Sequence, residues 1–373
     1  MSATVNDRGT SGRGQPRFTP TGVPNTSPRR AIWWSAWKGN DSGRIRTQSR
    51  AAQTARLIAR RLGWLIPLLL GLSLLVFVLA AFSPVDPTSA FLGSQDEFTN
   101  GAGREGIENA VGGRSWFGTW LAWLGSLLTG DLGYSMSARM PVADVVSARL
   151  GWTMLLMAGG LLLGFLISVP LALIASRRPN GVVSQLLDLV MWVLAAVPPF
   201  LLGLGLVAVF ALGLHTLPAG GTGTPGLDLG VTDLARHLVL PMSAVAAGQL
   251  PWITLHLRKA LIEASDDPGV RAARLRGIPE YRVLARHILP TAMIPVLAIT
   301  GARLTEVIAG SVLVEQIFSW PGLGQSLVSA ALAQDFPLLG VVSMLLAAMA
   351  LLGGLIADLA LVWCDPRTDP HEL

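Results

Sequence analysis

Arg271, Ala272 and Ala273, followed by Gly277, hold the most informative chemistry of any short stretch in this chain, and it is the chemistry of contact, not of bond-making. Asp267 is a good N-cap, Pro268 fits the first helical position, and Gly277 ahead of Pro279 is a stop signal. Val270 to Arg276 therefore reads as a short helix. On it Ala273 and Gly277, four residues apart, share a face beside Ala272, so another protein's backbone can come close. Arg271, Arg274 and Arg276 ring that face with positive charge suited to an acidic rim. A second helical stretch, Glu280–Ile288, leads through Leu289-Pro290 into a long apolar run.

A second chemical feature lies inside that run, where Arg303 and Glu306 stand about a turn apart. A charge at mid-membrane costs ~2.5–3.5 kcal/mol on insertion scales. The pair is therefore expected to face a bundle interior, either lining a translocation path or locking helices together. Pro198 and Pro199 each remove a backbone donor and should break or kink the run they interrupt. A kink there suits a path, although side-chain fit alone can also produce one. Trp320-Pro321-Gly322 reads as a re-entrant or interfacial turn on the external side, open either to a docking protein or to plain packing of that surface. Asp188 fits a helix cap, and Asp358 an interfacial position or a partner within the bundle.

Bond-making chemistry is missing from the pattern. Only two lysines occur, Lys38 and Lys259, and neither stands in G-x-x-x-x-G-K-[ST], so the chain has no phosphate-cradling loop of that kind. No H-E-x-x-H, Cys/His cluster or nucleophile elbow is present, and the five histidines have no metal-ligand spacing. The single cysteine, Cys364, excludes a disulfide framework and a cysteine-rich metal site. No catalytic residue, metal or cofactor is expected on this chain. Energised work would draw on a partner subunit or an ion gradient.

The elements that must position these residues are membrane spans. Of 373 residues 51% are hydrophobic and only 14% charged, against about 25% charged in soluble domains. A span needs about 20 apolar residues. Six runs qualify: Leu62–Phe82, Trp152–Ala175, Leu186–Leu214 (interrupted by the two prolines), Leu238–Leu257, Leu289–Leu313 and Leu338–Trp363. The fold class is all-α and polytopic. Twenty-two lysines and arginines fall before the first run, in the 176–183 and 258–288 loops and at the C-terminus, against five on the other side. The positive-inside rule places both termini in the cytoplasm. The net charge of +5 is thus a topology signal, and nucleic acid is not an expected partner.

Residues 1–56 read as a disordered basic cytoplasmic tail, too polar to bury a core and too long for a signal peptide. Residues 57–368 form the transmembrane domain, with an external loop over 83–151 and a cytoplasmic loop over 258–288, and 369–373 are a short C-terminal tail. The external loop is too long for a mere connector. Its Trp116, Trp120 and Trp123 fit an amphipathic helix on the membrane or on the bundle, and the loop is expected to help receive substrate.

At the cytoplasmic loop the pattern becomes specific. Arg271-Ala272-Ala273, three residues, Gly277, nine residues, then His287-Ile288-Leu289-Pro290 resembles the E-A-A-x-x-x-G-x9-I-x-L-P signature of binding-protein-dependent ABC importer permeases. Arg271 stands where that signature has Glu, and His287 where it has the first Ile. The variant is similar to the oligopeptide/dipeptide/nickel branch, where Arg is usual. Arg61-Leu62 through Ile66-Pro67 and Ser83-Pro84-Val85-Asp86-Pro87 resemble that branch's first span and following turn, with Val85 in place of Gly. Gly130-Asp131-Leu132-Gly133-Tyr134-Ser135 with Pro141-Val142 and Arg149-Leu150, Leu217-Pro218-Ala219-Gly220-Gly221, Val314 to Gly324, and Asp365-Pro366-Arg367 are similar to further motifs in the same order. The likeness covers roughly residues 57–368, and the long first external loop points to the first of the branch's two permease types.

The resemblance implies a type I ABC importer permease-like bundle in a bacterial plasma (inner) membrane. It implies that Val270, Arg271, Ala272, Ala273, Arg274 and Gly277 dock on an ATPase and transmit its movement. Partners would be a second homologous permease, two ATP-binding subunits holding ATP and magnesium, and an extracytoplasmic substrate-binding protein. Peptides are the implied cargo, with nickel, haem-like compounds or glutathione as alternatives within the branch. A gradient-driven secondary transporter is the rival from another class, and it predicts inverted repeats and broken helices with acidic midplane residues. A membrane-embedded enzyme is opposed by the missing catalytic constellation.

Overall fold

The computed structural model of the chain describes residues 50–82, 116–223 and 230–364. The tail as far as residue 49, the Ser83–Pro87 turn with the loop up to residue 115, and Asp365-Pro366-Arg367 lie outside the described residues.

Apolar runs become helices here because lipid leaves every backbone N–H and C=O to be satisfied within its own segment. Helix α1 (Arg50–Ala81) begins inside the stretch expected to be tail. Helix α2 (Trp116–Leu128) precedes a small hairpin, β1 (Tyr134–Ser135) and β2 (Met140–Pro141), in which Tyr134 pairs with Pro141 and Ser135 with Met140. Then come α3 (Val142–Ser176), α4 (Val182–Ala196) and α5 (Pro199–Leu206), the last running on as a π-helical stretch over Val207–Gly213. Helix α6 (Val231–Ser265) leads to the short α7 (Pro268–Leu275) and α8 (Glu280–Val283), with a second π-helical stretch over Leu284–Ile288. Helices α9 (Leu289–Ile317), α10 (Leu323–Leu332) and α11 (Phe336–Cys364) complete the described chain.

Among the described residues five helices are long and apolar enough to cross a membrane, and α4 with α5 makes up to a sixth. That third span is not one kinked helix but two half-helices meeting at 102°. A residue before proline is driven out of the α region, and proline itself donates nothing. Val197 and Pro198 accordingly lie in extended backbone, and Pro199 restarts the helix at its first position. The other spans run past their apolar cores. Helix α3 starts at Val142, inside the expected external loop, and α6 carries Arg258 and Lys259 well before its end at Ser265. Hydropathy marks the lipid slab, whereas hydrogen bonding marks the helix, and the helix is the longer of the two.

Helices α3, α6 and α9 form the centre of the bundle. Gly160 of α3 lies so near α6 that a Cβ there would stand 2.6 Å from Val245 Cβ, so only glycine permits the approach. The tryptophan-bearing α2 lies on the bundle: Trp123 meets Phe77 at 5.3 Å between ring centroids, and Trp120 Nε1 donates to Ser73 Oγ at 3.1 Å. One apolar cluster, around Leu257, Leu261, Val283 and Ile288, occupies the end of the bundle that carries α7. Two others, around Leu338 and Val342 and around Leu156 and Phe318, fill the opposite half.

Candidate functional site

At the α7 end, local signals and local structure agree. The Asp267 side chain caps the helix by accepting from Gly269 N–H at 2.6 Å, and Gly277 ends it with φ of +75°, a left-handed value natural to glycine. The face assignment changes. Val270 and Ala273 are buried against Leu257, Leu261, Val283 and Ile288 and hold α7 onto the bundle. Ala273 therefore does not belong to a docking face shared with Gly277. The outward surface consists of Arg271, Ala272, Arg276, Gly277 and Leu275, and Leu275 is 90% exposed. Space beside Gly277 is open. Arg274 is turned sideways to Glu280, at 2.7 Å, whose hydrogen bond raises the guanidinium's pKa further above its ordinary value. Leu275 escaped notice because it sits among arginines, yet its offset from the i,i+3 pair Val270 and Ala273 points it away from the core.

Two charges counted in the topology tally also close ion pairs. Arg258 Nη1 donates to both oxygens of Asp188 at 2.5 and 2.6 Å, and Nη2 to the Pro179 carbonyl at 3.0 Å. Asp188 is thus no helix cap, since α4 is capped by Gly181 and Asp188 lies about two turns further in. Arg61 donates from Nε (3.0 Å) and Nη2 (2.5 Å) to Asp358 Oδ2, which ties α1 to α11 and gives Asp358 its partner within the bundle.

In mid-span, Arg303 and Glu306 do pair, Nη2 to Oε2 at 2.5 Å. The expected inward orientation holds only for the arginine. Its guanidinium lies 4.1 Å over the Trp252 ring of α6 and its side chain is 20% exposed, whereas that of Glu306 is 54% exposed. Pro198 and Pro199 sit elsewhere. The break they make opens on an apolar hollow of about 470 Å³ lined by Leu194, Leu201, Phe210, Ala246 and Leu250, and neither Arg303 nor Glu306 lines it. A broken helix is therefore present, but its break carries no charged midplane site.

The opposite end gathers motifs that lie far apart in the chain. Trp320 is fully buried, edge-on to Trp152 at 5.4 Å, with Nε1 donating to the Trp152 carbonyl at 3.1 Å. Gly322 is also buried, so of Trp320-Pro321-Gly322 only Pro321 is left partly open to a docking protein. The turn is built around Glu315, a fully buried carboxylate that accepts from Thr153 Oγ1 at 2.8 Å and from Gln325 N–H at 3.0 Å. Thr153 Oγ1 in turn accepts from Leu323 N–H at 2.8 Å. A Cβ on Gly322 would overlap the Glu315 carboxylate, which explains the glycine. Gly221 N–H donates to the Phe318 carbonyl at 2.8 Å, joining the 217–221 loop to the same turn. Nearby, buried Asp335 accepts from Ser135 Oγ (2.6 Å), Ser137 Oγ (2.7 Å) and Ser137 N–H (2.9 Å), pinning the hairpin to the start of α11. Glu315 and Asp335 were not singled out from the sequence; for Glu315 the available signal was the Gly322 and Gly324 pair that follows it, and Asp335 has none nearby. Among the described residues no group of His, Cys, Asp or Glu could hold a metal ion.

The family model described as binding-protein-dependent transport system inner membrane component matches residues 168–370. The chain is similar to the oligopeptide transport system permease protein AppB of Bacillus subtilis (strain 168), 33% identical over 317 residues that cover 84% of this chain and 99% of that protein. It is also similar to a protein of Escherichia coli (strain K12) described as a probable D,D-dipeptide transport system permease protein, DdpB. There the identity is 28% over 331 residues, covering 83% of this chain and 96% of the relative.

Proposed function

The chain belongs to the family of binding-protein-dependent transport system inner membrane components, and on that premise we propose that it is a membrane-spanning subunit of an ATP-driven peptide importer. It works beside a second homologous permease, two ATP-binding subunits and an extracytoplasmic substrate-binding protein. The chain lies in a bacterial inner membrane with both termini in the cytoplasm, a reading supported by the distribution of lysine and arginine. ATP and magnesium belong to the ATP-binding subunits. Peptide as cargo is supported by the names of the relatives.

The observation that carries this reading is the construction of α7. Its inner face is bolted to α6 and to the start of α9 through Val270 and Ala273, while its outer face presents Leu275 within a ring of arginines. An exposed leucine beside open glycine backbone suits an apolar cleft with an acidic rim on the ATPase. Movement imposed there passes through α8 and the π-helical stretch directly into α9, the helix that carries Arg303, Glu306 and Glu315. A transport cycle by alternating access follows, with α7 as lever and the spans as path. Arg303 and Glu306 belong to that path, and Pro198-Pro199 to a flexing point beside it.

The test is Leu275→Asp in the complete transporter. Burying a leucine contributes about 1.5–3 kcal/mol, so ATPase association should weaken on the order of 10–100-fold and ATP-dependent uptake should fall with it. Unchanged uptake would sink the coupling assignment. Leu275→Asp is cleaner than Gly277→Trp, which would also force a large residue into left-handed backbone.

A further inference from the structure

The exposed surface of α9 differs from those of α1 and α3. Helix α1 exposes Trp64, Ile66 and Leu79, and α3 exposes Leu162, Leu166 and Ile174, side chains at home in lipid. Over its 29 residues α9 exposes one large hydrophobic side chain, Leu313, near its end. Besides Leu313, its open positions include Thr291, Pro295, Ala302, Thr305, Glu306 and Ala309, of which Ala302, Glu306 and Ala309 follow one another at four- and three-residue steps along one face. A half-exposed carboxylate in mid-span cannot face hydrocarbon, because ionised groups there turn to a bundle interior or to water. The face bearing Glu306 therefore borders the aqueous path.

The two members of the ion pair are not equivalent on that face. Arg303 is withdrawn: stacked on Trp252, it bonds Glu306 through Nη2, and its buried Nε has no hydrogen-bond partner among the described residues. Its charge is held as a fixed counter-ion. Glu306 is the outward member, with one oxygen engaged by Arg303 and acceptor capacity left over. What a passing solute meets is a carboxylate edge. Trp252 and Arg303, with Gln249, His256 and Thr300, form a tight polar seam behind it, with no room for a ligand-sized group.

We propose that Glu306 is a cation-reading station on the translocation path, accepting hydrogen bonds from an ammonium group of the passing peptide while Arg303 holds the carboxylate aimed. This rests on the peptide-importer reading and adds a charge selectivity that belongs to the permease itself, separate from capture by a binding protein. When the path is empty Arg303 satisfies Glu306. When an ammonium arrives the carboxylate shares its free oxygen, so the contact is made without stripping a buried charge of its partner.

The test uses the complete transporter in proteoliposomes, with external binding protein and internal ATP. Uptake of trialanine, Ala-Lys-Ala, Ala-Glu-Ala and N-acetyl-trialanine is measured for wild type, Glu306→Gln, Glu306→Asp and the exchanged pair Arg303→Glu/Glu306→Arg. Each rate is divided by the wild-type rate for the same peptide, which cancels the binding protein's own preferences. A charge-assisted hydrogen bond of this kind corresponds to about a tenfold difference. Glu306→Gln should lower Ala-Lys-Ala uptake by about that factor and spare N-acetyl-trialanine, Glu306→Asp should retain uptake of all four, and the exchanged pair should lower Ala-Lys-Ala against Ala-Glu-Ala. Trialanine falling with Ala-Lys-Ala while its acetylated form is spared assigns the contact to the amino terminus; trialanine spared assigns it to the side chain. An equal loss for all four peptides, or no loss for any, overturns the proposal while leaving the importer reading intact. Absence of ATP-dependent uptake of every peptide by the wild-type complex overturns the peptide reading and this inference with it.

Discussion

Replacement of Glu315 should loosen one turn of the protein and do so by a calculable amount. The carboxylate is fully buried, with Oε1 bonded to Thr153 Oγ1 and Oε2 to Gln325 N–H. In Glu315→Gln the shape is kept but one acceptor becomes a donor. With its oxygen turned to Gln325, the new amide must donate to Thr153, whose hydroxyl already accepts from Leu323 N–H. The hydroxyl can accept twice, but its own proton is then left without a partner. A buried unsatisfied group costs about 1–3 kcal/mol. Glu315→Ala removes both acceptors and leaves a void, raising the loss to about 3–5 kcal/mol, in the range of large-to-small core substitutions. Hydrogen exchange of the segment 318–326 in the purified transporter reads this directly, since each 1.4 kcal/mol of local opening is about a tenfold change in rate. The amides of Leu323 and Gln325 should exchange about tenfold faster in Glu315→Gln and about a hundredfold or more in Glu315→Ala. Thr153→Val should couple to Glu315→Gln by at least about 0.5 kcal/mol in a double-mutant cycle. If Glu315→Ala leaves exchange across this segment at the wild-type rate, the carboxylate is not what holds the turn.

Asp335→Ala should release the hairpin, because Ser135 and Ser137 lose their shared acceptor. A drop of about 2–4 kcal/mol is expected from the orphaned donors, seen as faster exchange across 134–141 with the α7 region unchanged. Asp188→Ala should destabilise by about 1–3 kcal/mol, because the largely buried Arg258 then lacks its counter-ion. The double variant Asp188→Ala/Arg258→Met should recover most of that loss in thermal unfolding, and failure to recover any would show that the pair is not the source of the effect.

The ion pairs share a logic that charge counting alone does not expose. Arg61 and Arg258 both lie on the side that the lysine and arginine tally assigns to the cytoplasm, and both also fasten one helix to another. The Arg258 pair is the more consequential, because it connects α6, just ahead of α7, to the first half of the broken third span. The end of α6 that leads into α7 is thus tied to α4 by this pair, and α7 to α9 by the backbone.

Local chemistry was legible in the sequence wherever the deciding interaction lies within a few residues. Length and hydropathy fix the number of spans because a bilayer has one thickness. Asp267, Pro268 and Gly277 fix the bounds of α7 because capping and left-handed backbone are properties of single positions. Pro198-Pro199 fixes a break for the same reason, though not its 102° angle, which depends on how α5 settles against α6. Which way a side chain points was not legible, since that is decided by partners distant in the chain. Ala273 and Leu275 sit two residues apart on one short helix; the cluster under α7 buries the first and leaves the second in solvent. Glu315 and Trp320 stand within a quoted motif, yet only the approach of Thr153 and Trp152, more than 160 residues earlier, makes one a buried keystone and the other a core side chain. Arg303 and Glu306 are paired by helical spacing, and the sequence stops there. Trp252, arriving from α6, withdraws the arginine and leaves the carboxylate the more exposed member of the pair.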